Sequence, residues 1–366
     1  MNNSNSSIIP LQDWLKTEAE PFVISGPCSA ETHDQMLDTA RLLAAIPHVK
    51  LFRAGIWKPR TRPSGFEGMG EKALEWMREI KQETGLLTTV EVATPEHVEK
   101  VLKYGIDVLW IGARTVVNPF SVQELAEALK GTNIPVFVKN PLNPDVKLWV
   151  GAIERMMFAG INKLAAIHRG FYYYKHELYR NQPMWEIPID LQRLMPGLPI
   201  ICDPSHIAGR RDLLFDIAQK GLDLGMNGLM IESHIHPEKA LTDAAQQVTP
   251  ADLEKLLNRL TVRRITGDTE FESTIEKLRR NIDKIDAELI DILAKRMRIV
   301  EEIGHYKKDN NIAVLQIRRW RQMIVDRLGV GSKMNLDREF LLKLLQLVHE
   351  ESIRVQEDIM LEKEGK

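Results

Sequence analysis

The sequence predicts an α/β protein: a parallel (β/α)8 barrel followed by a smaller all-α domain of three helices. Three observations carry this prediction. Eight short, continuously apolar runs recur at a spacing of roughly 20–35 residues, as strands buried on both faces do. Segments with apolar residues at helical spacing lie between them, and such alternation builds parallel sheets. From residue 272 onward the apolar period is helical and stays helical.

In chain order, residues 1–9 are rich in Asn and Ser without a periodic pattern and are expected to be disordered. Residues 10–20 read as a short helix leading in. The first strand, Phe22–Ser25, ends abruptly at Gly26 and Pro27 and delivers a thiol, Cys28, at its carboxyl end. The others are Val49–Ala54, Leu86–Val92, Val108–Ile111, Val136–Lys139, Leu164–Ile167, Ile200–Cys202 and Leu229–Ile231. Gly70–Thr84, Glu96–Tyr104, Val122–Lys130 and Arg211–Lys220 have helical spacing, and Thr94, Asn118 and Ser121 are candidate caps. A doubly wound open sheet would alternate similarly. The count of eight, and the lack of a Gly-rich dinucleotide fingerprint after the first strand, favour the barrel.

Thr249 and Pro250 open a closing helix, Ala251–Leu260. The expected organisation is a barrel over residues 1–262, a polar linker over 263–271 and a helical domain over 272–366. Ile275, Leu278, Ile282, Ile285, Leu289, Leu293, Arg296, Val300, Ile303 and Lys307 follow three- and four-residue steps. They imply one helix of roughly 35 residues, about 50 Å long. A shorter helix is expected at about 314–328, ended by Gly329 and Gly331, and a third at about 335–360. Helices of such unequal length suggest an intertwined dimer rather than a self-contained bundle.

Composition excludes several classes. A net charge of −2 gives no case for nucleic acid or an anionic membrane as a partner. No run approaches the length of a membrane helix, and the amino terminus lacks the features of a signal peptide. Two cysteines, Cys28 and Cys202, cannot staple a chain of 366 residues. Reduced thiols in a cytoplasmic protein are the expectation, with metal binding or catalysis as the better reason for them.

In a barrel of this kind the active site lies at the carboxyl ends of the strands. Those ends carry Cys28, Arg53, Lys58, Arg60, Thr61, Glu91, Arg114, Lys139, Arg169, Asp203, His206, Glu232 and His234. Cys28, His206, Glu232 and Asp243 offer one soft and three harder ligands, a mixture that suits Mn, Fe, Co or Zn better than Mg or Ca. The blander alternatives are a small buried apolar residue for Cys28 and a turn residue for His206. Arg53, Lys58, Arg60, Arg114, Lys139 and Arg169 imply a strongly anionic substrate, with two phosphates or a phosphate and a carboxylate. Salt bridges to the barrel's own acids are the alternative for any one of them.

The motifs Gly26-Pro-Cys-Ser29, Lys58-Pro-Arg-Thr61, Ile111-Gly-Ala-Arg-Thr115, Val138-Lys-Asn140, His168-Arg-Gly170 and Asp203-Pro-Ser-His206 resemble, in order and spacing, 3-deoxy-D-arabino-heptulosonate 7-phosphate (DAHP) synthase. The resemblance spans about residues 20–260 and is to the compact bacterial type, a TIM barrel without large inserted regulatory loops. It implies one divalent metal ion, manganese first with cobalt, iron or zinc as alternatives, on Cys28, His206, Glu232 and Asp243. It further implies phosphoenolpyruvate on Arg53, Lys58, Arg114, Lys139 and Arg169, and erythrose 4-phosphate on Arg60 and Thr61. Lys58 would donate a proton to the aldehyde oxygen. The related 3-deoxy-octulosonate 8-phosphate synthase shares the barrel and the phosphoenolpyruvate chemistry, but usually has Ala-Asn where this chain has Pro59 before Arg60.

In the helical tail, Arg296 and Lys307 lie on the apolar stripe itself, where a charge is costly unless an anion meets it. Arg279 flanks the same stripe, and Ser352 and Gln356 stand four apart on the last helix. These groups describe a small dianion site; interfacial salt bridges with Asp283, Asp286 or Glu351 are the alternative. Residues 272–360 resemble the all-helical chorismate mutase, an intertwined dimer of three-helix chains. The resemblance implies that Arg279 reaches into the partner's site, with Arg296, Lys307, Arg319, Ser352 and Gln356 in the home site. Lys307 and Gln356 would hydrogen-bond the ether oxygen of chorismate, and prephenate would be the product. The family commonly has acids where this chain has Gln316 and Trp320. Together the two resemblances imply a bifunctional shikimate-pathway enzyme, a homodimer through its helical domain, with prephenate damping the barrel. The rival expectation is a tail that serves only as a non-catalytic dimerisation and sensor module.

Overall fold

The structure is a computed structural model that describes residues 8–15, 21–58, 65–174, 178–263 and 267–361. Eight parallel strands close into a barrel in sequence order: β1 (Phe22–Gly26), β2 (Val49–Ala54), β3 (Leu87–Val92), β4 (Val108–Ile111), β5 (Val136–Lys139), β6 (Leu164–His168), β7 (Ile200–Cys202) and β8 (Gly228–Glu232). The strands are apolar throughout because both faces are buried. Phe22, Ile24, Leu51, Trp110, Phe137, Ile167 and Met230 fill the interior. Their neighbours Val23, Phe52, Leu109, Val138, Ala166 and Leu229 face the surrounding helices. Period-two alternation therefore sorts each strand between two cores. The helix Leu11–Leu15 contributes Leu11 and Leu15 to the inner cluster, and Trp14 sits 5.9 Å from Phe137, ring centre to ring centre.

Side-chain caps fix where the helices begin. Thr94 accepts from the His97 N–H, Asn118 from Phe120 and Asp203 from His206. Ser121 is not a cap; it lies inside the Pro119–Leu129 helix that Asn118 starts, because Pro119 takes the first helical position.

The chain divides into two compact units, Met1–Ile265 and Thr266–Lys366. The second contains helices Thr269–Asp309, Ile317–Lys333 and Arg338–Leu361. The first of these is 41 residues long, about 60 Å. It starts three residues earlier than its apolar stripe suggests, since Asp268 caps it through the Phe271 N–H. The middle helix does not stop at Gly329 and Gly331 but runs on to Lys333. Gly331 serves close packing: a Cβ there would lie 2.1 Å from the Leu341 Cδ2 of the last helix. The long helix buries only Val300 and Gly304, while Leu278, Ile282, Ile285 and Leu289 stay exposed, Ile285 by 62%.

No helix among the described residues is long and apolar enough to cross a membrane.

Candidate functional site

The carboxyl ends of the strands gather the expected metal donors. Cys28 follows β1, and Glu232 is the last residue of β8, in register opposite Gly26. Asp243 comes from the loop after β8 with φ at +47°, a left-handed conformation that Asp tolerates better than most residues. Cys28, Glu232 and Asp243 each offer a ligand atom within 4.8 Å of the others'. His206 sits in the helix Pro204–Ala208 just past β7. Its Nδ1 lies 2.8 Å from the Asp203 carboxylate, which leaves Nε2 facing Glu232 Oε1 at 3.7 Å. Glu232 Oε1 is buried and accepts no hydrogen bond, although Arg53 Nη2 lies 3.2 Å away. Burial, and then Glu232, push the Cys28 thiol up to about 12. The thiol and two carboxylates form one group with an unmet oxygen in it, a donor set that fits a borderline divalent cation. His206, the fourth expected ligand, approaches Glu232 but is not part of that group.

Beside this cluster stands a wall of cations. Arg53, on β2, is 2% exposed, and its Nε and Nη1 have no hydrogen-bond partner. Its guanidinium lies 5.1 Å from the centre of the Trp110 ring. Lys139, the last residue of β5, donates to Asp203 at 3.0 Å, and burial lowers its pKa despite that partner. Lys58 donates to the Cys28 carbonyl at 2.8 Å and approaches Sγ at 3.1 Å. Burial would lower Lys58, but Cys28 and the Glu232 carboxylate beside it raise it overall. Arg169 follows β6 and donates to Asn181 Oδ1 at 2.8 Å. Burial brings it down to about 10; Asp203 opposes this, while Arg180 and Arg114 repel it further. Arg114 is exposed in the short helix after β4. Arg60 and Thr61 lie outside the described residues.

Four contributors escape a reading of the sequence. Arg180 pairs with Asp243 at 3.1 Å and donates to Gln246 at 2.6 Å; Gln246 in turn donates to Glu232 Oε2 at 2.7 Å. Gln247 accepts from the Cys28 N–H at 2.9 Å, and Asn181 joins Arg169 to the His206 carbonyl. All four lie in loops, where no periodicity marks them.

In the helical unit, Arg296 donates to Ser352 Oγ at 2.7 Å. Lys307 donates to Gln356 Oε1 at 2.9 Å and to the Val314 carbonyl at 2.6 Å. Burial lowers the pKa of both cations, and Arg327 adds to the effect on Arg296. Lys307 also lines a groove of about 550 Å³ with Ile299, Ile303, Tyr306, Ile312 and Gln316. Trp320 stacks on His349 with ring centres 3.7 Å apart, so it is engaged within its own unit. Arg319 is exposed on the middle helix. Arg279 is also exposed, and at 17 residues before Arg296 it lies about 25 Å away along the helix. One chain therefore joins Arg296, Lys307, Ser352 and Gln356 but cannot add Arg279.

A (β/α)8 barrel with borderline metal donors beside buried cations belongs to the class of enzymes that act on small polyanions at their strand ends. The chain belongs to the DAHP synthetase I family, which matches residues 9–264. Residues 278–357 match chorismate mutase type II. A phospho-2-dehydro-3-deoxyheptonate aldolase of Thermotoga maritima is 33% identical over 226 residues, 62% of this chain and 64% of that protein. The chain thus spans a little under two-thirds of that relative's length. A 2-dehydro-3-deoxyphosphooctonate aldolase of Variovorax paradoxus is 26% identical over 265 residues, 65% of this chain and 88% of that one. The crystal structure of a Thermotoga maritima DAHP synthase is similar with a TM-score of 0.59 at 30% identity, covering 65% of this chain and 67% of that chain. A truncated form of the Thermotoga maritima enzyme gives 0.57 at 27% identity, covering 70% and 87%.

Proposed function

We propose that the barrel condenses phosphoenolpyruvate with erythrose 4-phosphate to DAHP and phosphate, and that the helical unit rearranges chorismate to prephenate. One chain would then serve the shikimate pathway at its first step and at its branch. The observation that carries the barrel reading is Arg53: a buried guanidinium with two nitrogens unmet, beside metal donors with an oxygen unmet. Arg53 and Glu232 already face each other at 3.2 Å, and the buried nitrogens and oxygen left without hydrogen bonds are suited to an anion on one side and a cation on the other.

Cys28, His206, Glu232 and Asp243 would hold the divalent cation, manganese by preference with cobalt, iron or zinc as alternatives. Bound there, it supplies Lewis acidity toward an aldehyde oxygen. Arg53, Arg114, Lys139 and Arg169 hold the carboxylate and phosphate of phosphoenolpyruvate and offset the repulsion between two anionic substrates. Arg60 and Thr61 receive erythrose 4-phosphate. C3 of phosphoenolpyruvate attacks the aldehyde carbon, and Lys58 Nζ delivers the proton to its oxygen. Water then adds at C2, and phosphate leaves by C–O cleavage. In the helical unit, Arg296 and Arg319, with Arg279 from a second chain, clamp the two carboxylates of chorismate. Lys307 and Gln356 meet the ether oxygen as its bond breaks.

Phosphate release tests the barrel. We expect turnover with erythrose 4-phosphate, none with arabinose 5-phosphate, and slowing by added prephenate, since first and branch-point steps share one chain. Turnover of arabinose 5-phosphate instead would make the barrel an octulosonate synthase, as the octonate relatives allow. A rate indifferent to prephenate removes the regulatory part. Loss of chorismate absorbance tests the helical unit; no loss would leave it a non-catalytic dimerisation and sensor module. The free thiols Cys28 and Cys202 and the metabolite substrates accord with a cytoplasmic enzyme.

The helical unit is proposed to pair two chains. Its exposed stripe of Leu278, Ile282, Ile285 and Leu289 is what a second copy would cover, and Arg279 has work only there. Ile285→Glu should shift sedimentation of the full chain from dimer toward monomer and lower chorismate turnover at least about tenfold, since burying a charge in the seam is costly. A variant that stays dimeric would place the seam elsewhere.

A further inference from the structure

The segment that follows β6 comes back to the site at Arg180 and Asn181. Asn181 is 6% exposed and holds two groups that serve different halves of the site. Its Oδ1 accepts from Arg169 Nη1 at 2.8 Å, and its Nδ2 donates to the His206 carbonyl at 2.6 Å. The amide has only one orientation that works. Arginine can only donate and a carbonyl can only accept, so oxygen must face Arg169 and nitrogen must face His206. Its backbone is fixed as well: the Asn181 N–H donates to the Ile207 carbonyl at 3.2 Å, and the Arg180 N–H donates to Ala208 at 3.2 Å. Gly170 lets the turn close, because a Cβ there, at φ +76°, would lie 2.8 Å from the Asn181 carbonyl oxygen. Next to it, Arg180 holds Asp243 and reaches Glu232 through Gln246.

We propose that Asn181 is a positioning residue that keeps the anion-binding Arg169 and the metal ligand His206 in register. It touches neither metal nor substrate. Arg169 is a buried cation repelled by Arg180 and Arg114. Its Nη1 also reaches the Gly170 carbonyl at 3.3 Å, but Asn181 Oδ1 at 2.8 Å is the closer acceptor, and losing it would let the guanidinium turn away. His206 lies in a helix of five residues, too short to hold its own register, and the Asn181 amide pins that helix at the His206 carbonyl. A shift of either group by about 1 Å misaligns metal and phosphoenolpyruvate relative to each other. The small neutral side chain therefore links Arg169 directly to the backbone of His206.

The inference rests on the metal and phosphoenolpyruvate assignment proposed above, and the wild-type enzyme tests that assignment separately. Wild type should bind Co(II) with a thiolate charge-transfer band and show saturable dependence on phosphoenolpyruvate; without these the assignment itself falls. For Asn181→Ala in the full chain we expect Co(II) affinity to weaken and the KM for phosphoenolpyruvate to rise, each about 10–100-fold, with the thermal midpoint separately recorded. A merely structural role would lower the thermal midpoint and leave both constants near wild type, and that result overturns the proposal. Movement of only one constant also overturns it, since Asn181 would then serve one half alone. If the alanine variant does not fold, Asn181→Asp decides. It fills the same space but sets an oxygen against the His206 carbonyl, so Co(II) binding should weaken at least about tenfold. Unchanged Co(II) affinity in that variant would end the idea.

Discussion

Cys28→Ala should leave a folded protein that no longer releases phosphate, with the condensation slowed on the order of a thousandfold or more. The fold survives because Cys28 is small. It follows β1 on the rim of the barrel, and removing one sulfur from a buried position costs about 1 kcal/mol of packing. Activity falls because three donors cannot hold the cation as four do, and Lewis-acid stabilisation of a forming alkoxide is worth several kcal/mol. Two readouts separate this cause from loss of the Lys58 contact at Sγ. The thiolate charge-transfer band of Co(II) should vanish. Metal affinity should fall in parallel with rate, so that excess Mn(II) restores part of the activity. Chorismate turnover should be unchanged, since the thiol lies in the other unit. A variant that keeps both the metal and the rate would remove Cys28 from the ligand set.

Much of this geometry was legible because function begins where the apolar run stops. For β2, β4, β5 and β7 the apolar residues give the strand limits residue for residue. For β1, β6 and β8 the ladder carries on past them into Gly26, His168 and Glu232. Gly26 and Glu232 pair with each other at the site, whereas His168, which pairs with Cys202, packs its ring against Trp149, Phe171 and Trp185. A hydrophobic criterion drops all three because they are polar or small, although Glu232 is among the residues that form the site. Loops follow a different logic. Arg180, Asn181, Gln246 and Gln247 act through partners far away in sequence, such as Cys28 and Gln247 at a separation of 219 residues. Such pairings exist only once the barrel has closed, so no local pattern announces them. In the helical unit the stripe located Arg296 and Lys307, but Gly331 misled. Glycine is a stop signal only when nothing needs the space a side chain would occupy, and here Leu341 does.

Lys307→Met should lower the rate constant of chorismate rearrangement by about 10²–10³, the loss expected when one donor aimed at developing charge is removed. The structure gives the reason for choosing this residue over its neighbours. Lys307 is held from two sides, by the Val314 carbonyl and by Gln356 Oε1, so its ammonium is positioned before substrate arrives. It needs no large reorganisation to meet an ether oxygen. The methionine keeps the apolar stem on the groove, so a fall in rate cannot be put down to lost packing. The pH dependence has a defined sign. Burial favours the neutral amine and sets the Lys307 pKa below the ordinary lysine value. The ratio kcat/KM, which reports the free enzyme, should therefore decline with rising pH earlier than an exposed lysine would predict. Bound chorismate is a dianion and favours the charged amine, so kcat should hold to higher pH than kcat/KM. If Lys307→Met turns over chorismate at the wild-type rate, or the two profiles decline together, the ammonium is not the group that meets the ether oxygen.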